Sequence, residues 1–376
     1  MTLPPFILIT QSHQWLDCLD QLRQEPRLAI DLEANSMFAY RERVCLIQIS
    51  TPKQDYIIDP TVSLDLSGLG ELVTNPDIEK IFHAAEYDLI LLKRQYGWEL
   101  SNLFDTMWAA RILGYQRFGL ASLLKDLYQI NLNKRYQKSN WCQRPLASAQ
   151  LTYAQHDTHF LFQLRDRLHQ ELVDEGCEEE AAETFAEQAQ VKLNDNGFSP
   201  DSFWSVNGVR DLSRQQQAIL KAINIFRDQE ARQRDQPLFK IFNDRTMLAL
   251  AKQAPATMDQ LAQVHGMTRG QIRRYGRALL RVIRQGKQAP SPVYPKRRHK
   301  RHPEVVVSRY DKLRGWRRRK GLSRGVESDV ILSRHALWEI AIANPQNSDE
   351  LNRLDSIGAW RCSTYGEEIL DVLKEV

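Results

Sequence analysis

Short apolar stretches dominate the first quarter of the chain, and a spacing of three and four takes over after them. Arg27-Leu-Ala-Ile-Asp-Leu-Glu33, Val44-Cys-Leu-Ile-Gln-Ile-Ser50 and Asp55-Tyr-Ile-Ile-Asp59 have the length and β-branched content of strands. The stretch Thr51-Pro-Lys-Gln54 between the last two suits a hairpin, and Lys80-Ile-Phe-His-Ala-Ala85 is a fourth strand candidate. Helical spacing then sets in with Leu89, Leu92 and Tyr96, continues through Trp108–Leu113 and Leu120–Tyr128, and culminates in one long helix from about Ser148 to Leu172. Leu161, Leu164 and Leu168 share a stripe of that helix. Three antiparallel strands followed by strand and helix alternation predict an α/β domain, a mixed sheet flanked by helices.

From about Asn207 onward the pattern is only helical, and it repeats. Ile241 to Ile283 matches Ile331 to Leu373 at a constant offset of 90 residues, with Met247 over Leu337, Pro255 over Pro345, Tyr275 over Tyr365 and Gly276 over Gly366. An ungapped match of apolar, Pro and Gly positions marks two copies of one helical unit. The expected boundaries are 1–205 for the α/β domain, 207–290 for the first copy and 304–376 for the second. A Pro-containing linker from Pro290 to Pro303 joins the copies.

A chain of 376 residues fits two or three such domains. No apolar run is long enough to span a bilayer, and Met1–Thr10 lacks the basic segment and cleavage site of a secretory signal, so a cytoplasmic protein is expected. The five cysteines (Cys18, Cys45, Cys142, Cys177, Cys362) are scattered, which argues against a disulfide framework and against a thiolate zinc site. Charge is unevenly distributed. Asp174–Glu187 is acidic, whereas Arg269–Lys287 carries Arg269, Arg273, Arg274, Arg277, Arg281, Arg284 and Lys287 with no acid among them. Lys296, Arg297, Arg298, Lys300 and Arg301 follow, then Arg314, Arg317, Arg318, Arg319 and Lys320. Three successive basic segments point to a polyanion partner, nucleic acid above all. Arg269, Arg273, Arg277 and Arg281 of the first copy become Ala359, Ser363, Glu367 and Asp371 in the second, so the first copy should dominate that contact.

The candidate chemistry lies in the α/β half. Asp31 and Glu33 are two residues apart in a strand, so both side chains leave the same face of the sheet. Like charges so placed call for compensation, and a divalent cation supplies it. Tyr153 and Asp157 stand at i and i+4 on one helix face, continuous with the apolar stripe. Asp88 lies where a strand gives way to a helix. Asp105 precedes a helical stretch and reads as its N-cap, and His83 reads as a satisfied structural histidine.

Together these motifs resemble the DEDD superfamily of 3′→5′ exonucleases, in the subgroup with a Tyr-x-x-x-Asp third motif. The chain is most similar to bacterial ribonuclease D, through Leu46-Ile-Gln48, Phe104-Asp105-Thr106-Met-Trp-Ala-Ala-Arg-Ile-Leu-Gly114, Gly119-Leu-Ala-Ser-Leu-Leu124 and Ser139-Asn-Trp141-Cys-Gln-Arg144-Pro-Leu146. Asn140 stands where that family usually has Asp. The repeated unit resembles the HRDC domain. The resemblance implies an RNase H-like fold followed by two all-α HRDC bundles, and two divalent cations, Mg²⁺ or Mn²⁺, held by Asp31, Glu33, Asp88 and Asp157. Tyr153 would then orient the attacking water. It further implies release of 5′-nucleoside monophosphates from RNA, tRNA precursors and other small structured RNAs included, and the lack of a long exposed coiled-coil pattern leads us to expect a monomer. Candidate RNA contacts are Gln48, Lys134, Trp141, Arg144, Arg273, Arg277 and Arg281. An exonuclease acting on DNA and a non-catalytic RNA-binding adaptor are the alternative readings.

Overall fold

The computed structural model describes residues 3–193, 197–294 and 302–375. Six strands, β1 (Ile7–Ile9), β2 (Arg27–Ala34), β3 (Val44–Ser50), β4 (Asp55–Ile58), β5 (Glu79–Phe82) and β6 (Leu103–Asp105), form one mixed sheet in the order β1-β4-β3-β2-β5-β6. The predicted hairpin is present, β3 and β4 running antiparallel with Ile47 opposite Ile58 and Ser50 opposite Asp55. The pairs β1–β4, β2–β5 and β5–β6 are parallel. Because β3 is covered on both faces, all seven of its residues are buried, which is why it reads as a continuous apolar run. The two strands missing from the sequence reading, β1 and β6, have three residues each, too few to show a period.

The single helix expected from Ser148 to Leu172 is two helices, Ser148–His159 and Leu161–Asp174, parted at Phe160. Each half answers to a different neighbour. The first packs on β3 and β4, the second on the Thr106–Ile112 helix and β5, where Leu161, Leu164, Leu168 and Leu172 are buried. The cysteine reading also needs correction. Cys45 and Cys142, 97 residues apart in the chain, are brought to a Cα–Cα separation of 4.9 Å by the packing of a loop on β3, and they form a disulfide.

The chain forms two compact units. The first comprises the sheet, its helices and the second helical copy. The second comprises the first helical copy together with Ala34–Arg43. In the first unit the acidic stretch finds its use. The helix Glu178–Ala189 receives the second copy through paired charges: Arg324 grips Glu180 at 2.8 and 2.7 Å, and Arg361 donates to Glu183 at 2.7 Å and to Thr184 at 3.0 Å. Glu183 also accepts the backbone N–H of Trp360 at 2.7 Å, capping the helix Ala359–Lys374, which has no capping side chain of its own. On the neighbouring helix, Arg111 bonds Glu327 and Asp329.

The second unit is built around the helices Arg214–Gln233 and Arg269–Gln288, with Ile223, Met247, Leu250, Leu261, Tyr275 and Leu279 in its core. Tyr40 is anchored in it, its hydroxyl donating to Asp228 at 2.5 Å and its backbone N–H to Asp235 at 3.0 Å. The basic linker Lys296–Arg301 lies outside the described residues. Among the described residues no helix is long and apolar enough to cross a membrane.

Candidate active site

Asp31 and Glu33 leave β2 on the face covered by the Ser148–His159 helix, which brings Tyr153 and Asp157 over them. Ligand oxygens of Asp31, Glu33 and Asp157 lie within 4.8 Å of one another. Asp88, in the first turn of the helix Glu86–Tyr96, is buried close enough for the charges of Asp31, Asp105 and Asp157 to act on it. The electrostatic cost of this convergence is plain. Burial pushes Asp31 up to about 7, against a hydrogen bond from the Leu32 backbone. Burial, then the charges of Asp31, Asp157 and Asp88, push Glu33 up to about 10. Asp88 and Asp157 are raised well above the carboxylate range, burial first and neighbouring carboxylates second. Hard oxygen donors crowded until they repel one another fit a divalent cation.

A buried polar lattice holds the Ser148–His159 helix in register. Asp55 accepts from Gln155 at 2.6 Å and from His159 Nδ1 at 2.8 Å, while Ser50 donates to Asp55 at 2.6 Å and lies 2.7 Å from Thr158. These groups tie the helix to the hairpin on the side away from Tyr153, and none was singled out from the sequence. Their signal was the polar positions Ser50, Gln155 and Thr158 within apolar stripes.

Asp105 does more than cap one helix. Its carboxylate accepts the N–H groups of Met107 and Trp108, as the cap reading requires, and also those of Ala84 and Ala85 at 3.0 and 2.8 Å. Ala84 has φ +64°, an uncommon conformation for alanine, and Asp105 clamps that turn, which delivers Asp88. His83 is the satisfied histidine expected. Thr106 Oγ1 donates to the Phe82 carbonyl and lies 2.9 Å from His83 Nδ1, and burial pushes the imidazole down to about 4.

The structure separates the expected RNA contacts into three groups. Gln48 is fully buried on β3 with neither amide atom bonded among the described residues, and Trp141 is 1% exposed, its ring centroid 5.8 Å from that of Tyr153. Neither can meet a strand of RNA from where it sits, and Trp141 instead backs the tyrosine. Arg144 is also committed internally: it bonds Asp59 through two nitrogens at 2.5 and 2.7 Å, the Cys45 carbonyl at 2.7 Å and the Trp141 carbonyl at 2.6 Å. It pins the Trp141 loop to β3 and β4, a positioning role in place of a phosphate contact. Lys134 is exposed on the short 3₁₀ turn Lys134–Tyr136. In the second unit Arg269, Arg273, Arg277, Arg281 and Arg284 are all exposed, with no ion pair among the described residues.

Comparison with known proteins agrees with this geometry. The family pattern described as 3′-5′ exonuclease matches residues 6–173, and that of the HRDC domain matches 216–283 and 307–373. A ribonuclease D of Gluconacetobacter diazotrophicus is 30% identical over 298 residues, 78% of this chain and 75% of the relative. Protein RRP6-like 1 of Arabidopsis thaliana is 32% identical over 318 residues, although the chain spans only 50% of that protein's length. The crystal structure of Escherichia coli RNase D, 22% identical, shares the fold with a TM-score of 0.67 over 99% of both chains.

Proposed function

Because the chain belongs to the ribonuclease D family of 3′→5′ exoribonucleases, we propose that it trims single-stranded 3′ ends of small structured RNAs, tRNA precursors among them, one 5′-nucleoside monophosphate at a time. The observation that carries this reading is the convergence of Asp31, Glu33 and Asp157 beneath Tyr153. Those carboxylates, with Asp88, would hold two divalent cations, Mg²⁺ or Mn²⁺. Bound there, the ions would stabilise the attacking and leaving oxygens of an in-line displacement at phosphorus.

The chain's own groups do the rest. Burial, then the charges of Asp157, Glu33 and Asp31, push the Tyr153 phenol above its ordinary range, so it keeps its proton and orients the attacking water by its O–H. Tyr136 braces the ring edgewise and Trp141 at a tilt. Arg273, Arg277 and Arg281 contact phosphates along the RNA, and Lys134 is a further backbone contact. The protein acts as a cytoplasmic monomer.

Digestion of matched 5′-labelled linear and circular RNA, with single-stranded DNA alongside, tests the proposal. Stepwise shortening of the linear RNA from its 3′ end under Mg²⁺ or Mn²⁺, with the circle intact, is expected. Cleavage of the circle would refute the exonuclease assignment, and equal rates on DNA the preference for RNA.

A further inference from the structure

Among the described residues, the segment 137–147, which carries Trp141 behind Tyr153, has no helix or strand of its own. Its backbone bonds are local turns, such as the Ser139 N–H to the Tyr136 carbonyl at 2.9 Å and the Gln143 N–H to that of Asn140 at 3.1 Å. A segment of this kind keeps one conformation where side chains tie it to rigid elements. Trp141 is buried among Cys45, Leu46, Ile57 and Ala154, and Arg144 joins the Trp141 carbonyl to Asp59 and to the Cys45 carbonyl. The Cys45–Cys142 disulfide ties the same stretch to β3 from the residue next to Trp141.

The chemistry of the two tethers differs. A guanidinium keeps its charge in proteins, so the Arg144 tether is permanent. A disulfide opens and closes by exchange with thiols. In the cytoplasm, where the protein is proposed to act, disulfides are rare, and those that form are mostly transient and serve catalysis or redox sensing. Access is one-sided here: Cys45 is 0% exposed and Cys142 is half-buried, so Cys142 Sγ is the sulfur that an incoming thiolate meets. We propose that Cys142 is a site of thiol–disulfide exchange with small cellular thiols such as glutathione, and that the state of its bond with Cys45 sets how firmly Trp141 backs Tyr153. The consequence for catalysis rests on the exonuclease reading and on the role of Tyr153 within it.

Reduction consumes two thiols. The first, as its thiolate, attacks Cys142 Sγ; the S–S bond breaks, its electron pair leaves with Cys45, and that thiolate takes up a proton. The second attacks the reagent sulfur of the mixed disulfide, releasing Cys142 as a thiol and the two reagents as their own disulfide. Two electrons thus pass to the protein, and run backwards the oxidised reagent recovers them and closes the bond. With the bond closed, the residue beside Trp141 is fixed to β3, and the Trp141 ring holds its place 5.8 Å from that of Tyr153. With it open, Arg144 and the packing of Trp141 remain, and the tyrosine that orients the water is held less strictly.

The test uses the full chain equilibrated in glutathione buffers from reducing to oxidising, with Mg²⁺ and a 5′-labelled linear RNA. Denaturing and alkylating a portion reports the state of the bond, since all five cysteines react when it is open and the three free ones when it is closed. Opening the bond should lower kcat by at least about threefold, short of the about hundredfold that a 1 Å misplacement costs. Because Trp141 is buried away from RNA, KM should stay within about twofold. Cys142→Ser should keep the reduced parent's kcat in every buffer. A bond whose closure raises the melting temperature yet leaves kcat within about twofold would be a structural cross-link only and would overturn the proposal. A thiol count that does not change across the buffers would overturn it as well. Nucleotide release in neither state, with the thiol count changing as expected, would sink the exonuclease reading and leave the exchange site standing.

Discussion

Replacing Arg324 with leucine should uncouple the second helical copy from the catalytic domain, and the structure sets the size of the effect. The Glu180 side chain is 0% exposed, and its two oxygens are held by the two terminal nitrogens of Arg324 at 2.8 and 2.7 Å. Arg324 also donates to the Tyr365 hydroxyl at 2.6 Å. Removing the arginine leaves a carboxylate buried without its counter-ion, which costs about 3 to 5 kcal/mol, whereas an exposed pair such as Lys374 with Asp371 contributes about 0 to 1 kcal/mol. With a urea m-value of about 2 to 3 kcal/mol/M, the unfolding midpoint should fall by about 1 to 2.5 M, read from tryptophan fluorescence, to which Trp316 and Trp360 of the second copy contribute. The double variant Glu180→Met with Arg324→Leu replaces both charges with apolar groups and should recover most of the loss. A single variant within about 1 kcal/mol of the parent, or a double variant no better than the single, would show that the pair carries no load.

Three further outcomes are expected. Asp31→Asn should abolish hydrolysis yet raise the melting temperature of the metal-free protein, because it removes one of the repelling carboxylates; a lower melting temperature would contradict the crowding argument. Tyr153→Phe keeps the ring on Trp141 and should lower kcat by at least about tenfold without changing stability, and an unchanged kcat would confine the residue to packing. Asp31 and Glu33, raised to about 7 and about 10, hold protons in the folded state that the unfolded chain gives up above about pH 4. Stability of the metal-free protein should therefore fall as pH rises through 7, and Mg²⁺ or Mn²⁺ should restore it more at about pH 8 than at about pH 5.5; melting curves in chelator that do not move with pH would refute this.

Much of the fold could be read from periodicity, because the long elements carry enough residues to show one. The central strands were found from their apolar runs and the helical copies from their 90-residue offset, whereas β1 and β6 were too short to see. The site was legible for a related reason: Asp31 with Glu33, and Tyr153 with Asp157, are each local patterns on one element. Contacts distant in sequence were not legible. Arg144 is a cation with no local partner in the chain, so it read as a phosphate ligand, and only folding brings Asp59 against it. Trp141 and Gln48 likewise looked available for RNA until the sheet and helix closed over them. The acidic stretch was similarly opaque, since its partners Arg324 and Arg361 lie more than a hundred residues away.

The capping of the Ala359–Lys374 helix by Glu183 means that the two helical copies could not trade places. At the equivalent position the first copy has Thr268 where the second has Gly358, and a Cβ atom at Gly358 would stand 2.0 Å from the Glu183 carboxylate, expelling it from the helix end. The first copy also has Pro237 and Phe239 where Glu327 and Asp329 clasp Arg111. Conversely, the second copy moved forward would bring Ser363, Glu367 and Asp371 to the face where Arg273, Arg277 and Arg281 are exposed. A permuted chain with its copies exchanged would thus carry every residue of the natural one and lack both the docked bundle and the arginine face. The two copies are therefore an ordered pair, with a missing methyl group at one glycine among the marks that set the order.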